Sequence, residues 1–228
     1  MLNFMGLPGI RAVGGRASAR MTRCGVSALL WAAIVLQAGF AIAAADPRQC
    51  IMEAGSAVEK SDVAAFEKQV DVDAILEQAL NLFVRRAQDP EAAKDLPPMV
   101  ALLFTQAASK EGNVRALLLN ETRSFVLNGI SSGAFAGKKP SAKASQGMLA
   151  PLFADASTGR KEIKNVGQAR RDGEGWLVPF VVHDSGNDES YDVTGRVTSV
   201  KGEMRLTSVA NMESLLRRVA AESRAVEP

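Results

Sequence analysis

Residues Trp176–Val182 constrain the fold most, because every one of these seven positions carries an apolar side chain. In an extended strand, successive side chains point to opposite faces. One face would carry Trp176, Val178, Phe180 and Val182, and the other Leu177, Pro179 and Val181. A strand that is apolar on both faces must be covered on both. Helices can cover one face, and the other requires a loop, a bound ligand or a second subunit.

The flanking segments predict an antiparallel meander around this strand. They alternate apolar with polar residues and are separated by glycine-rich or polar turns such as Asp172–Gly175 and Lys201-Gly202. The four predicted strands are Glu162–Arg171, Trp176–His183, Tyr191–Val200 and Glu203–Ala210, and a short helix follows from Asn211. Proline cannot donate to a sheet ladder, so we expect a bulge at Pro179.

The N-terminal half has a helical periodicity instead, with apolar residues three and four positions apart. Ser61-Asp62 is a predicted cap for a short helix, and Asp71 and Asp73 are predicted to cap the next one. Helices are predicted over Ile51–Lys60, from Val63, from Val72, over Met99–Ala108 and from about Asn113. The fold class is therefore α+β, with N-terminal helices followed by a four-stranded antiparallel meander and a short C-terminal helix.

A single domain over residues 46–222 accommodates this order of elements. It divides into a helical half (46–128), a mobile loop rich in Gly, Ser, Ala and Lys (129–146) and a sheet half (147–222). Residues 223–228 form a charged tail that we expect to fray.

The first 45 residues have the layout of a secretory signal peptide. Four arginines, the last of them Arg23, precede an uncharged run from Cys24 to Ala45 that ends in small residues. A basic region, an apolar core and a small-residue exit are the three parts of such a signal. We expect cleavage after Ala45 and export to the periplasm or the medium.

Two alternatives about this segment stay open. An uncleaved run would act as a membrane anchor, since about 20 apolar residues span a bilayer. Met21 also offers a second translation start, from which the signal has an ordinary length. Contact with the membrane is expected only through an uncleaved signal.

The charge balance argues against a nucleic-acid partner. The chain has 27 basic and 25 acidic residues, and the leader holds four of the arginines and no acidic residue. The exported 183 residues therefore keep 23 basic and 25 acidic ones, a net charge of −2. A chain so nearly balanced has no field that draws it to nucleic acid or anionic lipid.

Cysteine and histidine counts limit the chemistry further. Cys50 is the one cysteine after the leader, and His183 is the one histidine. Disulfide frameworks need paired cysteines, and zinc sites commonly need several imidazoles or thiolates. The sequence therefore predicts no metal site and no cofactor. Hydrolysis would have to combine His183 with carboxylates such as Asp71 or Asp192.

Two segments resemble small exported bacterial proteins of unknown function. The first is Ser61–Leu76 (SDVAAFEKQVDVDAIL). The second is Met204–Leu216 (MRLTSVANMESLL), in which the last predicted strand leads into the final helix. With helices preceding a meander, the chain is similar to cystatin-like or nuclear-transport-factor-type cones. The resemblance implies a bent sheet that wraps a helix and leaves room for a pocket. It implies no active-site residue.

These observations predict a non-enzymatic binding module of the cell envelope, for an apolar small ligand or a protein partner. Trp176, Phe180 and Tyr191 are the predicted ligand-binding residues, because large aromatic side chains commonly line apolar pockets. One alternative is a self-associating structural or interaction protein, in which a homodimer covers the second face of the apolar strand. The other is a carboxylate-based hydrolase.

Overall fold

Seven α-helices and five strands make up the parts of the chain that the computed structural model describes, residues 46–93, 98–109, 113–138 and 159–225. The helices are α1 Pro47–Lys60, α2 Val63–Gln69, α3 Val72–Gln88, α4 Pro90–Ala93, α5 Pro98–Ala108, α6 Val114–Ser131 and α7 Met212–Ala225. The strands are β1 Lys161–Lys164, β2 Arg170–Asp172, β3 Gly175–Asp184, β4 Glu189–Val200 and β5 Glu203–Val209. The predicted α+β class is confirmed. The predicted signal peptide, residues 139–158 and residues 226–228 lie outside the described residues.

Aspartates begin the first three helices. The carboxylate of Asp46 accepts the N–H of Arg48 at 2.9 Å, and Asp62 and Asp71 do the same at α2 and α3. The cap at Asp46, with Pro47 in the first helical position, makes α1 start earlier than the predicted Ile51. Asp73 lies in the first turn of α3, where its carboxylate binds Arg123 at 2.9 Å rather than capping the helix.

The sheet is antiparallel and curled, and β3 lies inside it. One side of β3 pairs with β4, which pairs in turn with β5, and the other side pairs with both β1 and β2. The predicted first strand, Glu162–Arg171, is therefore wrong as a continuous element. It is divided into two short strands, which is why five strands stand where four were expected.

Pro179 accounts for this division. The carbonyl of Pro179 accepts the N–H of Gly167 at 2.8 Å, so it points toward the edge formed by β1 and β2. In an antiparallel strand the N–H and the carbonyl of one residue point to the same neighbour, so the missing N–H of Pro179 would also have pointed toward this edge. Residues 165–169 there lie opposite residues 178–180 and leave the ladder. Pairing between β3 and β4 continues through Pro179 without a shift. The bulge that we expected at Pro179 is therefore wrong: the edge strand opposite Pro179 is interrupted instead, and the register shift of the sheet lies between β4 and β5, at Arg196 and Val197.

Helix α1 packs on the inner face of the sheet and forms the main core with it. Ile51 and Ala54 of α1 are buried against Val178 of β3 and Val197 of β4. Gly195 of β4 leaves room for core side chains beside this contact, because a Cβ there would lie 2.6 Å from Leu206 and 3.1 Å from Phe180. The inner face of the sheet is thus filled by side chains of the chain itself.

A second, smaller core joins the other helices. Leu80 of α3, Ala107 of α5 and Leu118 of α6 are buried together. Phe83 and Phe104 stack beside them with ring centroids 4.9 Å apart. The apolar stripes predicted in the helical half therefore face helices as well as the sheet.

Helix α6 extends into the segment that was predicted to be a loop from residue 129. Gly129 lies inside the helix, and a 3-10 turn, Ala134–Ala136, follows it. A Cβ at Gly129 would overlap the ring of Phe135, which folds back onto the helix. The glycine thus permits close packing here rather than chain mobility. The predicted tail also starts later than expected, because α7 continues to Ala225.

Candidate functional site

The two apolar faces of β3 have different surroundings. The inner face is covered by α1, and Val178 and Phe180 on it are only 0% and 5% exposed. On the outer face Pro179 is exposed, while Leu177 and Val181 are partly exposed. The sequence predicted that both faces of β3 are covered. Within the described chain, only the inner face is covered.

We call this outer surface the open face. It is centred on Pro179, and its other members are the apolar neighbours along β3 and the residues that pair with them across the sheet. These are Leu177 and Val181 of β3, Lys164 of β1, Arg170 of β2, and Asp192, Thr194 and Arg196 of β4. Side chains at directly opposed positions of paired strands share one face.

Charged side chains surround the apolar centre of the open face. Arg196 forms an ion pair with Asp172 of β2, and Lys164 pairs with Glu162 at 3.0 Å. The lysine hydrogen bond is the main cause that lowers the pKa of the Glu162 carboxyl. Within the described residues, Arg170 and Asp192 form no ion pair, and both are exposed. The face therefore combines a small apolar centre with a charged rim.

His183 lies at the end of β3, beside the open face. Its Nδ1 is 3.1 Å from the Ser190 hydroxyl, and its Nε2 is 3.9 Å from the Asp188 carboxylate. Catalytic triads hold the histidine by a hydrogen bond to a buried carboxylate. Asp188 is 96% exposed and beyond hydrogen-bond distance, so this arrangement lacks the orienting contact. The serine, histidine and aspartate lie in a surface hairpin.

The two carboxylates proposed for hydrolysis lie in different places. Asp192 pairs with Val181, and Val181 is two residues before His183 on β3. Asp192 and His183 therefore lie on the same outer face of the sheet. Asp71 lies beyond β5, where it caps α3 and lies 3.9 Å from Arg205. The structure thus brings one of these carboxylates near the histidine and separates the other from it.

The predicted ligand-binding residues share the inner face but are spread along it. Trp176 pairs with Val197, Phe180 is buried in the main core, and Tyr191 pairs with Val182. Positions 176 and 182 are about 20 Å apart along a strand. Trp176 and Tyr191 are therefore at opposite ends of the sheet, with the buried Phe180 between them.

Two arginines accompany these aromatic residues, and neither contact was predicted from the sequence. The guanidinium of Arg171 lies 4.4 Å from the Trp176 ring centroid, and that of Arg218 lies 4.8 Å from the Tyr191 centroid. Tyr191 also accepts a hydrogen bond from Asn187 at 2.9 Å. The turn Asp172–Gly175 is a signal that could have located Arg171, because a hairpin there places positions 171 and 176 opposite each other.

The described residues include no cluster of acidic, histidine and cysteine side chains that could hold a metal ion. Cys50 is buried, and its thiol donates to the carbonyl of Gln69 at 3.2 Å. In the same described ranges, no helix has the combination of length and apolar character that crossing a bilayer requires.

Comparison with known proteins adds no relative: no family model, curated protein or solved structure matches this chain. The open face, with its apolar centre and charged rim, is therefore the candidate site on which a functional proposal rests.

Proposed function

We propose that this chain is an exported, non-enzymatic binding module that docks a protein partner on its open face. The observation that carries the proposal is the contrast between the two sides of β3. Both sides are apolar in sequence, but α1 covers one and Pro179 is exposed on the other. Exposed apolar surface within a polar rim is typical of protein interaction sites.

A protein partner fits this surface better than a small apolar ligand does. Small-molecule sites are concave and enclose most of their ligand. The inner face is occupied by packed side chains, with Val178 and Val197 fully buried. The open face is the outer surface of a sheet, which suits the broad contact of a protein interface.

Both edges of the sheet are unsuited to pairing with a strand of a partner, which favours docking on the open face. At β5, the N–H of Asp71 donates to the carbonyl of Leu206, and Arg205 donates to two carbonyls of the α2 region. At the other edge, β1 and β2 are short and rich in lysine and arginine. Covered or charged edges discourage strand addition. A partner would therefore contact side chains of the sheet rather than its backbone.

Export is part of this proposal. The basic, uncharged and small-residue segments of the first 45 residues support it. Cleavage after Ala45 would leave Asp46 and Pro47, the residues that begin α1, at the new N-terminus. A single buried thiol also suits an oxidising compartment, because it offers no accessible sulfur for mispairing.

Site-specific photocrosslinking in the producing cells tests the docking surface. A photoreactive amino acid at position 179 should give one discrete crosslinked protein. The matched control is position 52, where Met52 of α1 is 41% exposed and is not part of the open face. Adding Leu177→Thr and Val181→Thr should reduce the product at position 179. A product pattern at 179 no different from that at 52 would contradict the proposal.

A fluorescence titration distinguishes the ligand alternative. Trp176 is the one tryptophan after Ala45, so its emission reports on the end of the inner face. Docking on the open face predicts no spectral change when phospholipid vesicles or fatty acids are added. A saturable shift with either probe, together with no crosslink at position 179, would favour an apolar-ligand function instead.

A further inference from the structure

We infer that the partner on the open face is a second copy of this chain, in a two-fold arrangement that places Arg170 of each copy against Asp192 of the other. This inference rests on the proposed function of the open face and names its occupant.

The charges on the open face leave one residue of each sign for a partner. Arg196 pairs with Asp172, and Lys164 pairs with Glu162, both within the chain. Among the described residues, the Arg170 guanidinium and the Asp192 carboxylate have no ion pair or side-chain hydrogen bond. A surface with one unpaired cation and one unpaired anion is complementary in charge to a copy of itself.

The positions of these two charges satisfy the symmetry of a dimer. Arg170 pairs with Leu177 on one side of β3, and Asp192 pairs with Val181 on the other side. Leu177 and Val181 are each two residues from Pro179. The two charged positions therefore lie about 8 Å from Pro179 in opposite directions, given standard strand spacings.

A two-fold axis in the plane of the interface would superimpose them. If the axis passes over Pro179, perpendicular to the line from Arg170 to Asp192, each charge meets its opposite on the other copy. Both contacts form at once, as an isologous interface requires. The two β3 strands would cross at roughly 70°, near the orthogonal class of sheet packing. Pro179 would then face its own copy.

The size of the face indicates a weak dimer. The open face is three strand rows wide, with β1 and β2 in one row beside β3 and β4, so it spans about 10–15 Å across and about 15–20 Å along β3. That is below the roughly 800 Å² per partner of a standard stable interface. We therefore expect a dissociation constant for the dimer in the micromolar range or above. The dimer should also weaken as added salt screens the exposed charges.

Sedimentation equilibrium with charge-reversed variants tests the arrangement. Arg170→Asp and Asp192→Arg should each weaken the dimer at least about tenfold, because each reversal turns two attractions into two repulsions. The double variant restores opposite charges across the interface, so its dissociation constant should return to within about threefold of wild type. Lys201→Asp, in the exposed β4–β5 turn, is the matched control and should leave association unchanged.

Chemical crosslinking gives an independent readout. Pro179→Cys should be joined to its own copy by a bifunctional maleimide that spans about 10 Å, the spacing of sheets packed face to face. Cys50 is buried and does not compete for the reagent. Circular dichroism of every variant establishes that a loss of association is not a loss of folding.

Three results would overturn the inference: a monomer at all concentrations up to about 1 mM, single reversals without effect, or a double variant as weak as the single ones. If photocrosslinking at position 179 gives a different protein, the inference fails and the proposed function stands. If position 179 gives no product and the chain is monomeric, both fail.

Discussion

At the scale of single residues, burial decides the chemistry of Cys50. The residue is 3% exposed, and burial raises the pKa of its thiol from 9.0 to about 11. The thiolate is the reactive form of cysteine, so Cys50 should be inert in the native protein. We predict no labelling by a thiol reagent at neutral pH until denaturant is added. The Pro179→Cys variant is the control and should label at once at its exposed position.

The same shift predicts a pH dependence of stability. Because the folded pKa is the higher one, the unfolded chain loses its proton first as the pH rises. The stabilising contribution of Cys50 is complete below pH 9 and is lost as the pH approaches 11. At pH 10 the loss should be about 1.4 kcal/mol. Urea unfolding at pH 8 and pH 10 measures it, and the Cys50→Ala variant should show a loss smaller by that amount.

Gly129 should be intolerant of a side chain although it lies within a helix. Ala is about 1 kcal/mol better than Gly in a helix interior. Here, however, a Cβ would overlap the Phe135 ring. We predict that Gly129→Ala lowers the free energy of unfolding by about 1–3 kcal/mol. In a Phe135→Ala background the same substitution should be neutral or stabilising, and a second loss there would contradict the steric explanation.

At the scale of elements, side-chain amides complete hydrogen bonding where strands end. The Gln78 amide of α3 donates to the Val209 carbonyl at 2.7 Å and accepts its N–H at 2.9 Å. Asn211 does the same for β4, donating to the Asp192 carbonyl and accepting the N–H of Thr194. Each amide thus replaces one peptide unit of a neighbouring strand. These contacts attach α3 and α7 to the sheet.

We predict that Gln78→Ala destabilises the protein by about 1–3 kcal/mol, because both backbone groups of Val209 lose their partner. Gln88→Ala is the control on the same helix. Gln88 is exposed, so that change should stay within about 0.5 kcal/mol. Chemical unfolding of the two variants provides the comparison, and equal effects would show that the pairing with Val209 contributes little.

The elements also differ in how much of them is predictable from sequence. The caps at Asp62 and Asp71 could be predicted, since a cap involves neighbours three residues away. The division of the first strand could not. The division depends on which strand lies on the side of Pro179 where the N–H is missing. Only the order of strands in the sheet determines which strand that is. Arg218 stacks on Tyr191 from a separate element, so no local pattern indicated it.

At the scale of the whole molecule, every described element lies between Pro47 and Ala225. Because we expect residues 1–45 to be removed as a signal peptide, we predict that a chain starting at Asp46 is as stable as the full chain. A chain starting at Arg48 should lose at least about 1 kcal/mol, because it lacks the cap of α1. Thermal unfolding compares the three chains, and a lower midpoint for the Asp46 chain would show that earlier residues contribute to the fold.

The sequence by itself determined that helices precede an antiparallel sheet, where α2 and α3 begin, and that β3 is apolar on both faces. These follow from side-chain periodicity and short-range capping, which act along the chain. Only the tertiary structure decided which face of β3 is covered by α1 and which face leaves Pro179 exposed. It also decided that Arg170 and Asp192 lie on opposite sides of that proline. The reason is that strand register and helix placement arise from contacts between residues far apart in the chain.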